Sequence, residues 1–161
     1  MILCPVKNPS IWRKPRVSQG FGVNKQVYSQ FGNTGGHSGI DIAIPTGTLL
    51  YAPFDGKVSI QMFHKNYGHN IRIKNDRLEA ILAHCSSFIC KDGESVPMGA
   101  PIALSGGDPS QPGAGFSSGP HLHFAVRHID SKGIPLNPDN GNYGWEDLFK
   151  YTICWYHTLT N

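Results

Sequence analysis

His121-Leu122-His123-Phe124-Ala125-Val126 is the stretch from which the fold can be read. Successive side chains of an extended chain point to opposite faces. Leu122, Phe124 and Val126 therefore share one apolar face that can enter a core. His121 and His123 share the other, roughly 6.5–7 Å apart along the strand, a spacing at which two imidazoles can converge on one site. A strand that is apolar on one side and polar on the other belongs to a sheet with a single buried face, which is the habit of antiparallel sheets.

The same period of two recurs upstream. Lys57–Met62 and Asn70–Lys74 alternate, Leu78–His84 reads as a further strand, and Asp55-Gly56 and Asn75-Asp76 mark turns near their ends. Three such segments in sequence predict an antiparallel meander. Val96-Pro97-Met98-Gly99 is a turn leading into Pro101–Leu104. Ser105–Pro120, with five Gly and three Pro, holds no core element; a loop of that length is either disordered or functional. Residues 1–16, broken by Pro5, Pro9 and Pro15, read as an irregular leader, and Trp145–Tyr151 is the one plausible short helix.

Composition agrees with this outline. The 161 residues include 19 Gly and 12 Pro, and only 16% are charged against roughly 25% for an average globular chain, which favours turns and short strands. A net charge of +3 with 8 Phe, 6 Tyr and 3 Trp argues against disorder. No apolar run approaches the ~20 residues of a membrane span, and the first residues do not form a secretory signal peptide. The basic residues are scattered apart from Arg13-Lys14-Pro15-Arg16, too short a cluster to argue nucleic-acid binding. Cys4, Cys85, Cys90 and Cys154 contain no CxxC pair, which excludes a zinc ribbon and leaves free, partly buried thiols as the expectation. The expected architecture is one domain of mainly β structure, a small antiparallel sheet with at most one or two short helices. Its core spans residues 17–127, and residues 1–16 and 128–161 pack on it.

Eight histidines stand at 37, 64, 69, 84, 121, 123, 128 and 157. His37-Ser38-Gly39-Ile40-Asp41, flanked by Gly35 and Gly36, is extended rather than helical, so His37, Gly39 and Asp41 face one side with open space between imidazole and carboxylate. With the His-x-His strand this supplies two histidines and an aspartate, a set that suits a catalytic zinc with three protein ligands and an open position. His84 ends an apolar segment and is available to a cleft. His64, His69, His128 and His157 read as solvated residues.

At this point the residues resemble a known family. Gly36-His37-Ser38-Gly39-Ile40-Asp41, the Ala83-His84 strand end and Ser118-Gly119-Pro120-His121-Leu122-His123-Phe124 are similar, in order and spacing, to the lysostaphin/LytM-type zinc endopeptidases that cut peptidoglycan peptides. Tyr51-Ala52-Pro53, Asp55-Gly56-Lys57-Val58, Tyr67-Gly68 and Val96-Pro97-Met98-Gly99 extend the likeness over residues 17–127. The resemblance implies a narrow groove walled by loops, one zinc ion per chain held by His37, Asp41 and His123, and His84 and His121 as the two catalytic, non-ligand histidines. With no HExxH present, these two stand where that motif's glutamate base would; an ordinary histidine pKa of about 6.5 suits proton transfer near neutrality. The long Ser105–Pro120 loop and the absence of a basic residue after Phe21-Gly22 depart from the family pattern.

The resemblance therefore implies a monomeric zinc metalloendopeptidase acting on peptidoglycan peptides, without nucleic acid or membrane insertion. It would be made in the cytoplasm and act at the bacterial wall as a phage lysin or virion-associated enzyme, with a bacterial enzyme exported by another route as the alternative. Two rivals remain. A non-catalytic peptidoglycan-binding or hydrolase-activating module would keep the fold. A cysteine peptidase or amidase would use Cys85 or Cys4 with a histidine, although Cys85 follows His84 directly and neighbours in a strand face opposite ways.

Overall fold

The alternating segments form strands in the computed structural model, which describes residues 2–7 and 16–150 and the backbone of 153–154. In chain order the elements are β1 (Ile2–Leu3), β2 (Val17–Gln19), a short helix α1 (Lys25–Ser29), β3 (Ile40–Ile42), β4 (Leu49–Tyr51), β5 (Gly56–His64), β6 (Gly68–Lys74), β7 (Leu78–Ala83), β8 (Cys85–Phe88), β9 (Ser95–Val96), β10 (Pro101–Ser105), β11 (Leu122–His128), a 3-10 turn at Leu148–Lys150, and β12 (Ile153–Cys154). Seven strands form the main sheet in the order β2-β3-β11-β7-β6-β5-β9, and β4-β10-β8 form a second. Pairing in both is antiparallel, and β5-β6-β7 is the expected meander.

Alternation sorts the main sheet into two faces. Leu122, Phe124 and Val126 of β11, Ala80 and Leu82 of β7, and Ile71 and Ile73 of β6 are buried together with Leu50, Ile102 and Ala103 of the second sheet. Each large aliphatic side chain so buried contributes roughly 1.5–3 kcal/mol. The opposite face carries a smaller apolar cluster of Ile81, Ala83, Ala125 and Trp145. Glu79 lies on that face, fully buried. Arg72 from β6 donates to its Oε1 at 2.8 Å, and Arg127 from β11 holds its Oε2 with Nε at 2.8 Å and Nη2 at 2.6 Å. The Arg127 guanidinium also stands 4.4 Å from the centre of the Trp145 ring.

Two expectations are corrected. Residues 2–6 are not an irregular leader: β1 pairs in parallel with β12, and Ile2, Leu3, Cys4 and Val6 are buried. The helix expected over Trp145–Tyr151 is only the 3-10 turn, because its first residues are tied to the sheet: Trp145 packs on Ile81 and Ala125, and Glu146 N donates to Val126 O at 3.0 Å. The helix that does form, α1, lies in a stretch with no apolar periodicity. Arg13, Lys14, Pro9, Pro15, Tyr151 and His157 lie outside the described residues.

Burial opposes the ionisation of Glu79, but the two guanidiniums outweigh it and hold its carboxyl below the usual value. Such a carboxylate stabilises the fold above its unfolded pKa and loses that effect as pH falls through its lower folded value. Glu79→Gln is expected to destabilise the protein by about 3 kcal/mol at pH 7, read by urea unfolding. The gap to the wild type should shrink as pH falls below roughly 4.3; a gap that is negligible, or that does not change with pH, contradicts this reading.

Candidate metal centre and active site

The strand register puts two of the expected ligands side by side. β3 and β11 pair with His123 directly opposite Asp41, where Cβ atoms stand about 4.5–5.5 Å apart. His123 Nδ1 lies 3.0 Å from Asp41 Oδ1. His37, four residues before Asp41, enters from a loop clasped by two backbone hydrogen bonds, Gly22 N to His37 O at 2.8 Å and His37 N to Val23 O at 2.9 Å. Its Nε2 reaches His123 Nδ1 at 2.9 Å and Asp41 Oδ1 at 3.1 Å. Gly39 makes this approach possible, since a Cβ there would stand 2.5 Å from Phe124 O and 3.0 Å from His123 Cε1.

These three atoms form a buried triangle with too few protons. A carbonyl only accepts, so in a neutral His37 ring Nδ1, 2.9 Å from Gly20 O, carries the one hydrogen and leaves Nε2 as a bare lone pair. That lone pair faces Asp41 Oδ1, also an acceptor. His123 can place a proton on Nδ1 only by leaving its buried Nε2, which has no partner, as a second stranded acceptor. A cation resolves the conflict. Zinc bonds to N and O donors at about 2.0–2.2 Å place such donors roughly 3–3.5 Å apart, and the triangle's edges of 2.9–3.1 Å lie at the short end of that span. His37, Asp41 and His123 are the group of potential ligands found among the described residues. Burial lowers the His123 pKa against the pull of Asp41, which favours the neutral ring a ligand needs. Burial works against ionised Asp41, but the hydrogen bonds and charge of His123 and His37 hold it well below the usual carboxylate range.

His84 and His121 stand beside the triangle, with ring centres 4.5 Å apart. By strict alternation His84, following the site-facing Ala83, would turn into the core. Its left-handed backbone, φ 61°, breaks the alternation and swings it toward the cleft. Its Nδ1 lies 2.6 Å from Ala114 O, and His121 Nδ1 lies 2.8 Å from Gly119 O. Each ring therefore carries its hydrogen on Nδ1 and keeps Nε2 bare; His121 Nε2 is 3.8 Å from Asp41 Oδ2. Burial, reinforced by the neighbouring His121 and His123 rings, pushes the His84 pKa down to about 3.

Both carbonyls belong to the loop 106–120, which is ordered by its docking rather than by regular structure. His69 N donates to Gly113 O at 2.8 Å, and Phe116 N to Asn66 O at 2.8 Å. His69 is thus buried rather than solvated. His64 Nδ1 accepts from Asn66 N and Tyr67 N, and His128 Nδ1 lies 3.0 Å from Glu146 Oε1. A cavity of about 290 Å³ opens over the five residues. Tyr28, Phe31, Tyr67 and Phe116 also line it, and the Phe31 and Phe116 rings meet edge-to-face at 4.9 Å. Nothing in the sequence singles out Tyr28, whose ring sits 5.0 Å from that of His37 and whose hydroxyl pKa is raised to about 12 by burial and by Asp41. Cys85 is packed in the core, where burial pushes its thiol up to about 12. Cys4 is likewise buried and pushed up to about 11. Neither provides a thiolate at neutral pH.

A sequence model of peptidase family M23 matches residues 35–138. The peptidoglycan DD-endopeptidase ShyA of Vibrio cholerae is 33% identical over 108 residues, 66% of this chain and 23% of its own length. The murein hydrolase activator NlpD of Salmonella dublin is 33% identical over 134 residues, 80% of this chain and 30% of its own. The chain thus spans less than a third of these relatives. A zinc-containing peptidase from Vibrio cholerae superposes with a TM-score of 0.63 at 29% identity, over 81% of this chain and 39% of that one. The catalytic domain of lysostaphin from Staphylococcus simulans, 23% identical, shares the fold at a TM-score of 0.62 over 84% and 90%.

A histidine with its pKa lowered to about 3 stays neutral through the physiological range. The His84 ring resonances are expected to be flat between pH 5 and 8 in an NMR titration. A midpoint near 6.5 contradicts the buried, carbonyl-anchored arrangement.

Proposed function

The chain belongs to peptidase family M23, and from that premise we propose that it is a zinc-dependent endopeptidase. Its substrates would be peptide bonds in the stem peptides or cross-bridges of peptidoglycan, and its place of action the bacterial wall. The observation that carries this reading is the acceptor triangle of His37, Asp41 and His123 beside two further imidazoles with bare Nε2 atoms.

In this reading His37 Nε2, Asp41 Oδ1 and His123 Nδ1 hold one zinc ion. Bound there, zinc supplies a Lewis acid for the scissile carbonyl and lowers the pKa of water from 15.7 to about 7. The chain's own residues do the rest. Ala114 O and Gly119 O fix the Nδ1–H tautomers of His84 and His121, so that each presents Nε2 to the cleft. One of the two takes a proton from the attacking water. The other, once protonated, donates to the oxyanion or the leaving amine. The loop 106–120 and the segment around α1 wall the cavity and restrict water at the reacting bond.

A second reading, a non-catalytic activator of other hydrolases, draws on the likeness to NlpD. Against it stands the presence of all five polar groups that the chemistry requires. The two readings part on digestion of purified peptidoglycans of several cross-bridge types, with products read by mass spectrometry. An endopeptidase yields new peptide termini that vanish with a zinc chelator. His121→Ala should lower turnover at least about 100-fold with zinc retained, whereas His123→Ala should lose both zinc and turnover. Full zinc occupancy without new termini on any wall supports the activator. Retained zinc in His123→Ala overturns the ligand assignment.

A further inference from the structure

Two of the three proposed ligands sit on paired strands, but His37 sits on a loop, so something must fix that loop against β11. The turn Asn140–Trp145, beyond the family-matched residues 35–138, does this. Asn140 closes the turn: its Oδ1 accepts from Asn142 N at 2.9 Å and Gly144 N at 3.0 Å, and its Nδ2 donates to Trp145 O at 2.9 Å. The turn is mounted on the sheet. Trp145 is buried on Ile81 and Ala125, Arg127 Nη1 of β11 donates to Tyr143 O at 2.7 Å, and Glu146 N donates to Val126 O.

The free side of the turn grips the approach to His37. Gly35 N donates to Gly141 O at 2.9 Å. Asn142 is 2% exposed. With its amide turned as its surroundings require, its nitrogen donates to Gly36 O at 2.8 Å and Gly141 O at 3.1 Å. The contact leaves no room for side chains. A Cβ on Gly35 would lie 2.6 Å from the Asn142 amide, and one on Gly36 would lie 2.5 Å from Gly22 O on the other flank. Gly36 is thus held between Gly22 on one side and Asn142 on the other, immediately before His37.

We propose that Asn142 is a positioning residue for the metal centre, locking the His37 loop to the strand that carries His123. The inference rests on the reading of His37, Asp41 and His123 as zinc ligands. Without Asn142 the clasp by Gly22 and Val23 and the Gly35–Gly141 bond remain, but the peptide before His37 gains freedom that ion binding must remove, and that weakens binding. Removing a group hydrogen-bonded directly to a metal ligand typically lowers metal affinity about 10–100-fold; Asn142 acts one residue further out, on Gly36 O, which places it at the lower end of that range.

The test is the zinc dissociation constant, by chelator competition at 25 °C, of the wild type, Asn142→Asp, Asn142→Ala and Val58→Ala. Aspartate keeps the shape but cannot donate to Gly36 O. Val58 is buried in the core on β5, and its truncation controls for a general loss of stability. Circular dichroism verifies that each variant is folded at that temperature. The expected result is at least about tenfold weaker binding in both Asn142 variants and unchanged binding in Val58→Ala. Wild-type affinity in Asn142→Asp, or an equal loss in Val58→Ala, overturns the inference and leaves the metal site standing. Absence of zinc binding in the wild type overturns both.

Discussion

Three acceptor atoms, His37 Nε2, Asp41 Oδ1 and His123 Nδ1, face one another at 2.9–3.1 Å in a buried place, and that arrangement requires positive charge among them. Neutral imidazoles do not supply it, because Gly20 O takes the one hydrogen of a neutral His37 on the far nitrogen and a neutral His123 has only one hydrogen for two buried sites. Much of the architecture serves this convergence. The β3–β11 register sets Asp41 against His123, Gly39 lets the strands close, and the clasp of Gly22 and Val23 delivers His37. The remainder of the sheet holds β11 in place through the buried apolar face on one side and the Glu79–Arg72–Arg127 cluster on the other.

Around that focus the chain arranges groups with complementary properties. His84 and His121 are oriented by carbonyls of one long loop, and that loop is in turn docked on the start of β6. The chemistry of the site is thus controlled by backbone groups as much as by side chains. A loop rich in Gly and Pro gains order here because its carbonyls and amides find fixed partners, not because its residues favour any regular conformation.

The strand through His121–Val126 was legible because a period of two leaves one apolar and one polar face. The meander and the grouping of His37, Asp41 and His123 followed from the same reasoning joined to the resemblance. What the sequence concealed depends on long-range contact. Asp41 stands opposite His123 only through a register that no local pattern encodes. His84 faces the cleft through a positive φ, which an ordinary residue adopts without announcing it. The burial of Ile2–Val6 depends on distant partners: Ile2 and Leu3 pair with β12, about 150 residues later, and Val6 bridges to Leu50 of β4. The segment after Trp145 has acidic residues suited to a helix start, yet Glu146 is drawn to β11 and Asp147 caps only a 3-10 turn at Leu148–Lys150. Asn142 carries no motif; its role emerges only from the glycines it touches.

The most direct measurement of the central claim is anomalous diffraction at the zinc edge from crystals of the zinc-loaded protein. A single peak per chain is expected, with His37 Nε2, Asp41 Oδ1 and His123 Nδ1 at about 2.0–2.2 Å, and with His84 and His121 near it but not bonded to it. A peak elsewhere, a different set of bonded atoms, or direct coordination by His84 or His121 would contradict that claim.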